Sequence, residues 1–522
     1  MAKNKNSNKG FEELLWEAAN NLRGTVESSE YKHVVLSLIF LKFANDKFDV
    51  VKNKLISEDK GQYIDTVPFY TRERVFYVPK ESRWDYIVTN SKQPNLSLIV
   101  DTALSKLEET NESLKGALPD NYYSRLSLEV NNLSSLIDII NNLDTIRDSN
   151  EDIIGRVYEY FLKKFALKEG KGKGEFYTPK TVVTLMTELI QPFKGKIYDP
   201  ACGSGGLFVQ SMKFVEAHHG NTKDVSIYGQ EMSSTTYKLA KMNLAIRGIL
   251  ADLGEKPANT FTQDQHKDLK ADFILANPPF NQKSWRKEDE LTDDERWLGY
   301  DVPPTGNANY GWILNMVSKL STNGVAAFLL ANGSLSGGGA EQEIRKKLID
   351  NHLVDAILYL PRNLFYTTDI GVSLWILASN KNERLIEIEN KKILLRDRKE
   401  EILFIDLRQT GVPFEKKYIE FSPKNLKDII KTYHNWQSID GFKGYEDIPE
   451  YCYTANIEEI INKNYSLVPS EYIEFVNNDE SIDYDKQMKK LTVELRDLML
   501  EEEQSKEELL DVLKELGYEI EL

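Results

Sequence analysis

The chain has 522 residues, 41% of them hydrophobic and 28% charged, a balance that excludes wholesale disorder and calls for more than one core. Lys and Arg number 66 against 82 Asp and Glu, a net charge of −16, which excludes a surface that grips nucleic acid broadly by itself. Only two cysteines, Cys202 and Cys452, occur and no CxxC pair, so a disulfide framework and a thiolate zinc site are excluded and a reducing, cytoplasmic setting is expected.

The first segment, 1–168, carries helical patterns separated by polar loops. In FEELLWEAANNLRG, Phe11, Leu14, Leu15, Ala18 and Leu22 recur at three- and four-residue spacing and Gly24 supplies a stop. VVLSLIFLKF, Val34 to Phe43, is about half the length needed to span a bilayer and follows a polar start, MAKNKNSNKG, without a signal-peptide pattern. It predicts a buried helix and no membrane contact. SSLIDIINNLD and EDIIGRVYEYFLKKFA continue the theme, so 1–168 reads as a helical domain. Gly170, Gly172 and Gly174 then break the pattern in LKEGKGKGEFYTP, a hinge.

From 169 to 410 the period changes. GKIYDP, VSIYGQE, ADFILANPP, GVAAFLLANG, LVDAILYLP and VSLWILAS are short β-rich apolar runs, most of them separated by helix-length segments. Strands without polar alternation, joined by helices, predict an α/β domain with a doubly wound, Rossmann-like parallel sheet covered on both faces. The remainder, 411–522, is polar and aromatic and then helical. Met488, Leu491, Leu495 and Leu498 follow 3-4-3 spacing, and Ser505 with Glu508 offers a capping box before Leu509, Leu513 and Leu516. A helical hairpin is expected there, packed on the domain or docked on a partner.

IYDPACGSGGLF is a strand followed by Gly203, Ser204, Gly205 and Gly206 at the entry to a helix. Glycines in such a turn let a ligand approach the backbone, and the helix start offers free N–H groups and positive potential. The turn lacks GxGxxG spacing and a GK[ST], which argues against dinucleotide and nucleoside-triphosphate binding. A ligand with a cationic amino group beside a carboxylate suits Asp199 next to those amides. Glu231 ends the second strand in YGQEM, the position from which doubly wound folds hold ribose hydroxyls. In GEFYTP, Thr178 and Pro179 look like the N-cap and first-turn proline of the helix KTVVTLMTELI. NPPF, Asn277 to Phe280, ends another apolar strand with two residues that lack backbone donors, so the turn there is sharp and leaves carbonyls free.

EFYTP, DPACGSGG, GQE and NPPF, in that order, resemble the S-adenosyl-L-methionine-dependent amino-methyltransferases of DNA. The layout along nearly the whole chain resembles the modification (M) subunit of type I restriction-modification enzymes, which implies N6-adenine methylation. The resemblance implies that Glu175, Phe176, Tyr177, Thr178 and Pro179, with Ser204, Gly205 and Gly206, cradle the methionine part of the cofactor. Asp199 is then expected at its amino group and Glu231 at its ribose. Where the family has an acid for the cofactor's adenine, this chain has Asn259, with Asp264 five residues on. No metal is implied, and the six histidines show no ligand spacing. The implied partners are double-stranded DNA, a specificity (S) subunit shared by two copies of this chain, and a restriction (R) subunit in the full complex.

Chemically, an exocyclic amine is a poor nucleophile because its lone pair is delocalised into the ring. The Asn277 side-chain oxygen and the Pro278 carbonyl would accept its two N–H groups without ionising, Pro279 would fix the turn, and Phe280 would offer a stacking face to a base flipped out of the duplex. Phe365 and Tyr366 are candidates for its other face or core aromatics. An N-P-P-aromatic turn also suits a protein glutamine or an RNA base, and a non-catalytic scaffold is the third reading. Cys202, inside the glycine turn and without a Pro-Cys context, reads as a packing residue.

Overall fold

The computed structural model describes residues 16, 28–73, 75–126, 128–142, 160–161, 164, 178–365, 368–388, 391–414, 418–475 and 484–515. The first amphipathic pattern other than Trp16, most of the last helix pattern before the hinge, the hinge itself and Glu175, Phe176, Tyr177 and Tyr366 lie outside them.

The N-terminal part is helical. Helix α1, Ser28–Ser57, holds the apolar run, and every residue from His33 to Lys42 is buried. A helix that is apolar all round belongs in the middle of a core, and α2 (Leu96–Thr110) and α3 (Val130–Asn141) pack around it with one buried face each. No helix among the described residues is long and apolar enough to cross a membrane.

The catalytic part is a nine-stranded sheet in the order β13-β10-β6-β7-β5-β4-β1-β2-β3. Its strands are β1 Gly195–Asp199, β2 Val225–Gly229, β3 Ala251–Asp252, β4 Ala271–Ala276, β5 Leu320–Ala331, β6 Val354–Tyr359, β7 Val372–Ala378, β10 Glu401–Asp406 and β13 Cys452–Asn456. Two small hairpins, β8 (Arg384–Ile388) with β9 (Lys391–Leu395) and β11 (Val412–Phe414) with β12 (Tyr418–Glu420), stand apart. Helices α4 (Lys180–Ile190), α5 (Gly206–Ala217), α6 (Ser234–Ile246), α7 (Asn309–Lys319), α8 (Ala340–Asp350) and α9 (Pro423–Gln437) flank the sheet and supply two apolar layers.

The expected parallel sheet is interrupted: β7 runs antiparallel between β5 and β6, and β13 runs antiparallel to β10. All seven residues of β7 are buried, so the strand is apolar on both faces whichever way it runs. The sheet also continues past residue 410, because β13 pairs with β10. Beneath this edge Asp355 is fully buried with Arg398 at 3.2 Å and accepts the Tyr433 hydroxyl at 2.9 Å, which ties β6 to α9.

Helices α1 to α3 and the sheet share a seam. Leu239, Met242 and Ile246 of α6 belong to the N-terminal core, while Lys238 and Lys241 donate to the carbonyls of Leu118 at 2.9 Å and Lys115 at 2.8 Å. Residues Met1–Ile473 form one compact unit and Glu474–Leu522 another.

In that second unit one helix, α10 (Tyr484–Glu515), replaces the expected hairpin. Ser505 lies inside it between Glu, Gln and Lys residues, with no Gly or Pro to stop the helix, and a mid-helix serine costs only about 0.5 kcal/mol against alanine. Met488, Leu491, Leu495 and Leu498 are all at least half exposed along it.

Candidate active site

Strands β1, β2 and β3 step one way across the sheet and β4 and β5 the other, so the order reverses between the neighbours β1 and β4. Such a reversal opens a crevice outside the carboxyl ends of the two strands. Asp199 closes β1 and Asn277 follows β4, and both line a cleft of about 740 Å³ counted to its solvent side, within the range of small-molecule sites. Thr178, Ser204 and Gly206 line it too.

Gly203 and Gly205 adopt left-handed φ of 54° and 77°, which lets the chain turn from β1 directly into α5. The first amides of α5 have no partner within the helix and lie at the mouth of the cleft with the positive end of its dipole. Asp199 is 1% exposed; its Oδ1 accepts the Ala201 N–H at 3.0 Å, while Oδ2 has no partner. Burial pushes its pKa up to about 8 against that hydrogen bond, and the Glu231 carboxylate adds to the rise. A buried carboxyl with an idle oxygen is stabilised by a cation placed against it.

Glu231 accepts the Gly203 N–H at 3.1 Å and the Ser233 N–H at 2.7 Å, so it clamps the glycine turn to the end of β2. It sits behind the turn rather than among the residues lining the cleft around Asp199. Asn259 follows Ala258, whose N–H donates to the Glu231 carbonyl at 3.0 Å, and its Oδ1 caps the Phe261 N–H at 2.8 Å. Asp264 is committed elsewhere: it pairs with Lys319 at 2.7 Å, the two side chains 10% and 3% exposed, and accepts the His266 N–H at 2.9 Å. The structure therefore leaves Asn259 as the candidate beside the end of β2, and Asp264 anchors α7.

At the NPPF turn Asn277 is 8% exposed, its Nδ2 donates to the Thr178 hydroxyl at 2.8 Å, and its Oδ1 is buried without a partner. Thr178 is thus not the N-cap of α4; Pro179 holds that position without a side-chain cap, and the hydroxyl points to Asn277 instead. Pro278 is buried and Pro279 half-buried. Phe280 meets Phe365 edge to face, centroids 6.2 Å apart at 86°, in the core rather than across an open slot. Phe365 thus braces Phe280 and does not form an opposing stacking face. Cys202 is buried, and burial drives its thiol well above the ordinary value, away from a nucleophile.

The sequence reading passed over Asn243. It lies in α6 at 3% exposure, lines the cleft, and donates from Nδ2 to the Ser204 carbonyl at 2.7 Å while Arg247 donates to its Oδ1. The available signal was a lone amide inside the apolar stretch KMNLAIRG. Among the described residues no group of His, Cys, Asp and Glu is arranged to hold a metal ion.

A family model described as N-6 DNA Methylase matches residues 149–481, and one for the HsdM N-terminal domain matches residues 11–140. The chain belongs to the N-6 DNA methylases. Among relatives of this N-6 DNA methylase, the type I restriction enzyme HindI methylase subunit of Haemophilus influenzae is 41% identical over 82% of the chain and 94% of the relative. The MjaIX methylase subunit of Methanocaldococcus jannaschii is 34% identical over 97% and 92%. The type I methyltransferase subunit of Streptococcus thermophilus superposes with a TM-score of 0.70 over 89% of the methylase and 99% of that chain, at 23% identity, a likeness of fold.

Proposed function

We propose that this N-6 DNA methylase is the modification subunit of a type I restriction-modification complex and transfers a methyl group from S-adenosyl-L-methionine to N6 of an adenine turned out of double-stranded DNA. The observation that carries the reading is the Asn277 amide, pinned through Nδ2 with Oδ1 idle, in the same cleft as the idle oxygen of Asp199. The two needs are complementary: one oxygen awaits a cation and the other an N–H donor.

The cofactor fits the residues present. Asp199 Oδ2 would meet its ammonium, the α5 amides at Ser204 to Gly206 its carboxylate, and Glu231 with Asn259 its ribose and adenine end. When bound, it supplies an electrophilic methyl group on a sulfonium. The chain's own part is to hold and polarise. Asn277 Oδ1 accepts one amine N–H and the Pro278 carbonyl the other, which returns lone-pair density to nitrogen as it attacks. Both acceptors are neutral, so neither changes protonation, and both are fixed before the charge develops. The transferred amine sheds a proton to water afterwards. Phe280 supplies apolar surface for the extruded base.

The acidic chain carries no broad basic face, consistent with leaving sequence recognition to a specificity subunit shared by two copies, with a restriction subunit added in the full cytoplasmic complex. The exposed apolar stripe of α10 suits docking on such a partner. The test is transfer of tritiated methyl groups by the chain with its specificity subunit, offered unmethylated DNA, RNA and protein together. Label at adenine N6 is expected; label confined to protein or RNA, or none, overturns the proposal.

A further inference from the structure

A second cleft opens on the same face of the sheet and shares no lining residue with the first. It begins at Asn281, four residues beyond Asn277, and runs over the carboxyl ends of β5, β6 and β10 past Asn332, Arg362 and Arg408. Counted to its solvent side it measures about 1160 Å³, larger than the cofactor cleft.

Its polar groups are held in place. Asn281 adopts a left-handed φ of 51°, donates its N–H to Asn309 Oδ1 at 3.0 Å and accepts Asn309 Nδ2 at 2.9 Å. Asn309 is fully buried, so it fixes the Asn281 oxygen and turns the opposite, donor end of that amide outward. Asn332 contributes the reverse: its Oδ1 is buried and has no partner. A Cβ at Gly371 would stand 2.4 Å from Asn332 Nδ2, so glycine there is what lets this side chain lie down.

The charge is equally defined. Arg408 lies over the Tyr359 ring at 5.2 Å and is held by both oxygens of Asp406, with a closest approach of 2.6 Å. Its charge is balanced, so it offers a fixed donor fork. Arg362 is exposed, and no carboxylate among the described residues pairs with it, which leaves it as the uncompensated cation of the cleft. Tyr359, Ile370 and Ile419 add apolar wall.

We infer that this cleft is a nucleotide site, in which Arg362 meets a phosphate and the Asn281 and Asn332 amides meet a base edge, and that its occupant is the nucleotide adjoining the target adenine in the same DNA strand. A free cation, a buried acceptor lacking a donor, an oriented donor and an apolar wall together match a nucleoside phosphate. The same chemistry would take a free nucleotide; continuity with the NPPF turn favours the strand. The inference rests on the proposed DNA substrate. In an otherwise acidic chain the site also gives the extruded strand a local anchor.

The test uses the complex with its specificity subunit and compares wild type, Arg362→Ala, Arg362→Lys and Asn332→Ala. Arg362→Ala is expected to raise the DNA KM several-fold and to lower the slope of log affinity against log salt by about 1, with cofactor affinity unchanged and Arg362→Lys restoring the slope. DNA abasic next to the target should weaken wild type and leave Asn332→Ala little further affected. An unchanged DNA KM and salt slope in Arg362→Ala overturns the inference. So does calorimetric binding of deoxyadenosine monophosphate that Arg362→Ala abolishes while DNA behaviour stays intact. If wild type itself fails to methylate DNA, the functional proposal falls and takes this one with it; normal wild-type activity beside an indifferent Arg362→Ala removes the cleft alone.

Discussion

Asn277 donates from Nδ2 to the Thr178 hydroxyl at 2.8 Å, and that bond determines which end of the amide faces the cleft. Freed of it, the amide can rotate and present its donor end to an amine that also donates. Asn277→Ala should therefore lower the single-turnover methylation rate by about 10²–10³-fold, as loss of a preorganised catalytic hydrogen bond does elsewhere, with cofactor affinity kept. Thr178→Val should fall between the two, and Thr178→Ser should recover the rate. Equal rates for Val and Ser would show that the hydroxyl does not orient the amide.

Asp199 predicts a pH signature. Its folded pKa is raised to about 8 by burial, so between the ordinary carboxyl value and that point the folded state holds a proton the unfolded chain has released. The ligand-free protein thus loses stability as pH rises through this window. A cationic ligand reverses the preference, so cofactor binding near pH 7 should release close to one proton, and affinity should climb as pH approaches 8. Calorimetry in buffers of different ionisation enthalpy measures the release. Asp199→Asn should abolish it and weaken binding; a wild type that releases no proton would remove the ammonium from this carboxyl.

Asn243 satisfies the Ser204 carbonyl from a neighbouring helix, so its loss leaves the cofactor turn less fixed. Asn243→Ala should weaken cofactor binding by about 5- to 10-fold, the worth of one intramolecular hydrogen bond, without altering DNA affinity. Arg247 also contacts this side chain, so the thermal midpoint must be measured alongside. An affinity drop that merely tracks lost stability would deny Asn243 a positioning role.

Asp355 bears on stability alone. Arg398, Lys381 and Tyr433 hold its carboxyl below the ordinary value in spite of full burial, and burial lowers Lys381 to about 8. Asp355→Ala would leave these cations without their counter-charge and should cost about 3–5 kcal/mol in denaturant unfolding, whereas removing both Asp355 and Arg398 should cost less than the sum. Additive losses would mean the pair does not act as a unit.

Leu491→Glu with Leu498→Glu on α10 should abolish assembly with the specificity subunit, read by size-exclusion chromatography, and leave cofactor binding by the isolated chain intact. A full-sized complex from the double variant would place the docking surface elsewhere.

The strands that carry the site were legible because apolar runs ending in DPACGSGG, GQE and NPPF mark the carboxyl ends of a sheet by composition alone. The direction of β7 was not, since a strand buried on both faces carries no period to orient it. β13 was missed because CYTAN mixes polar and apolar residues at the edge of the sheet. The single helix α10 was hidden by a local Ser-Glu pattern that a longer helix tolerates. Within the site, Asp199, Glu231 and Asn277 follow from strand ends. Asn243, the redirected Thr178 and the buried pairing of Asp264 with Lys319 depend on contacts between distant segments, which no local spacing encodes.

Helix α6 touches two things at once: Leu239, Met242 and Ile246 complete the core of the N-terminal helices, and Asn243 steadies the glycine turn. A displacement of those helices must first uncover three apolar side chains on the support of the cofactor site. Cofactor occupancy and N-terminal docking are therefore linked quantities, each altering the other by the same factor. A methylase charged with its methyl donor is, on this arrangement, also one whose two halves are harder to part.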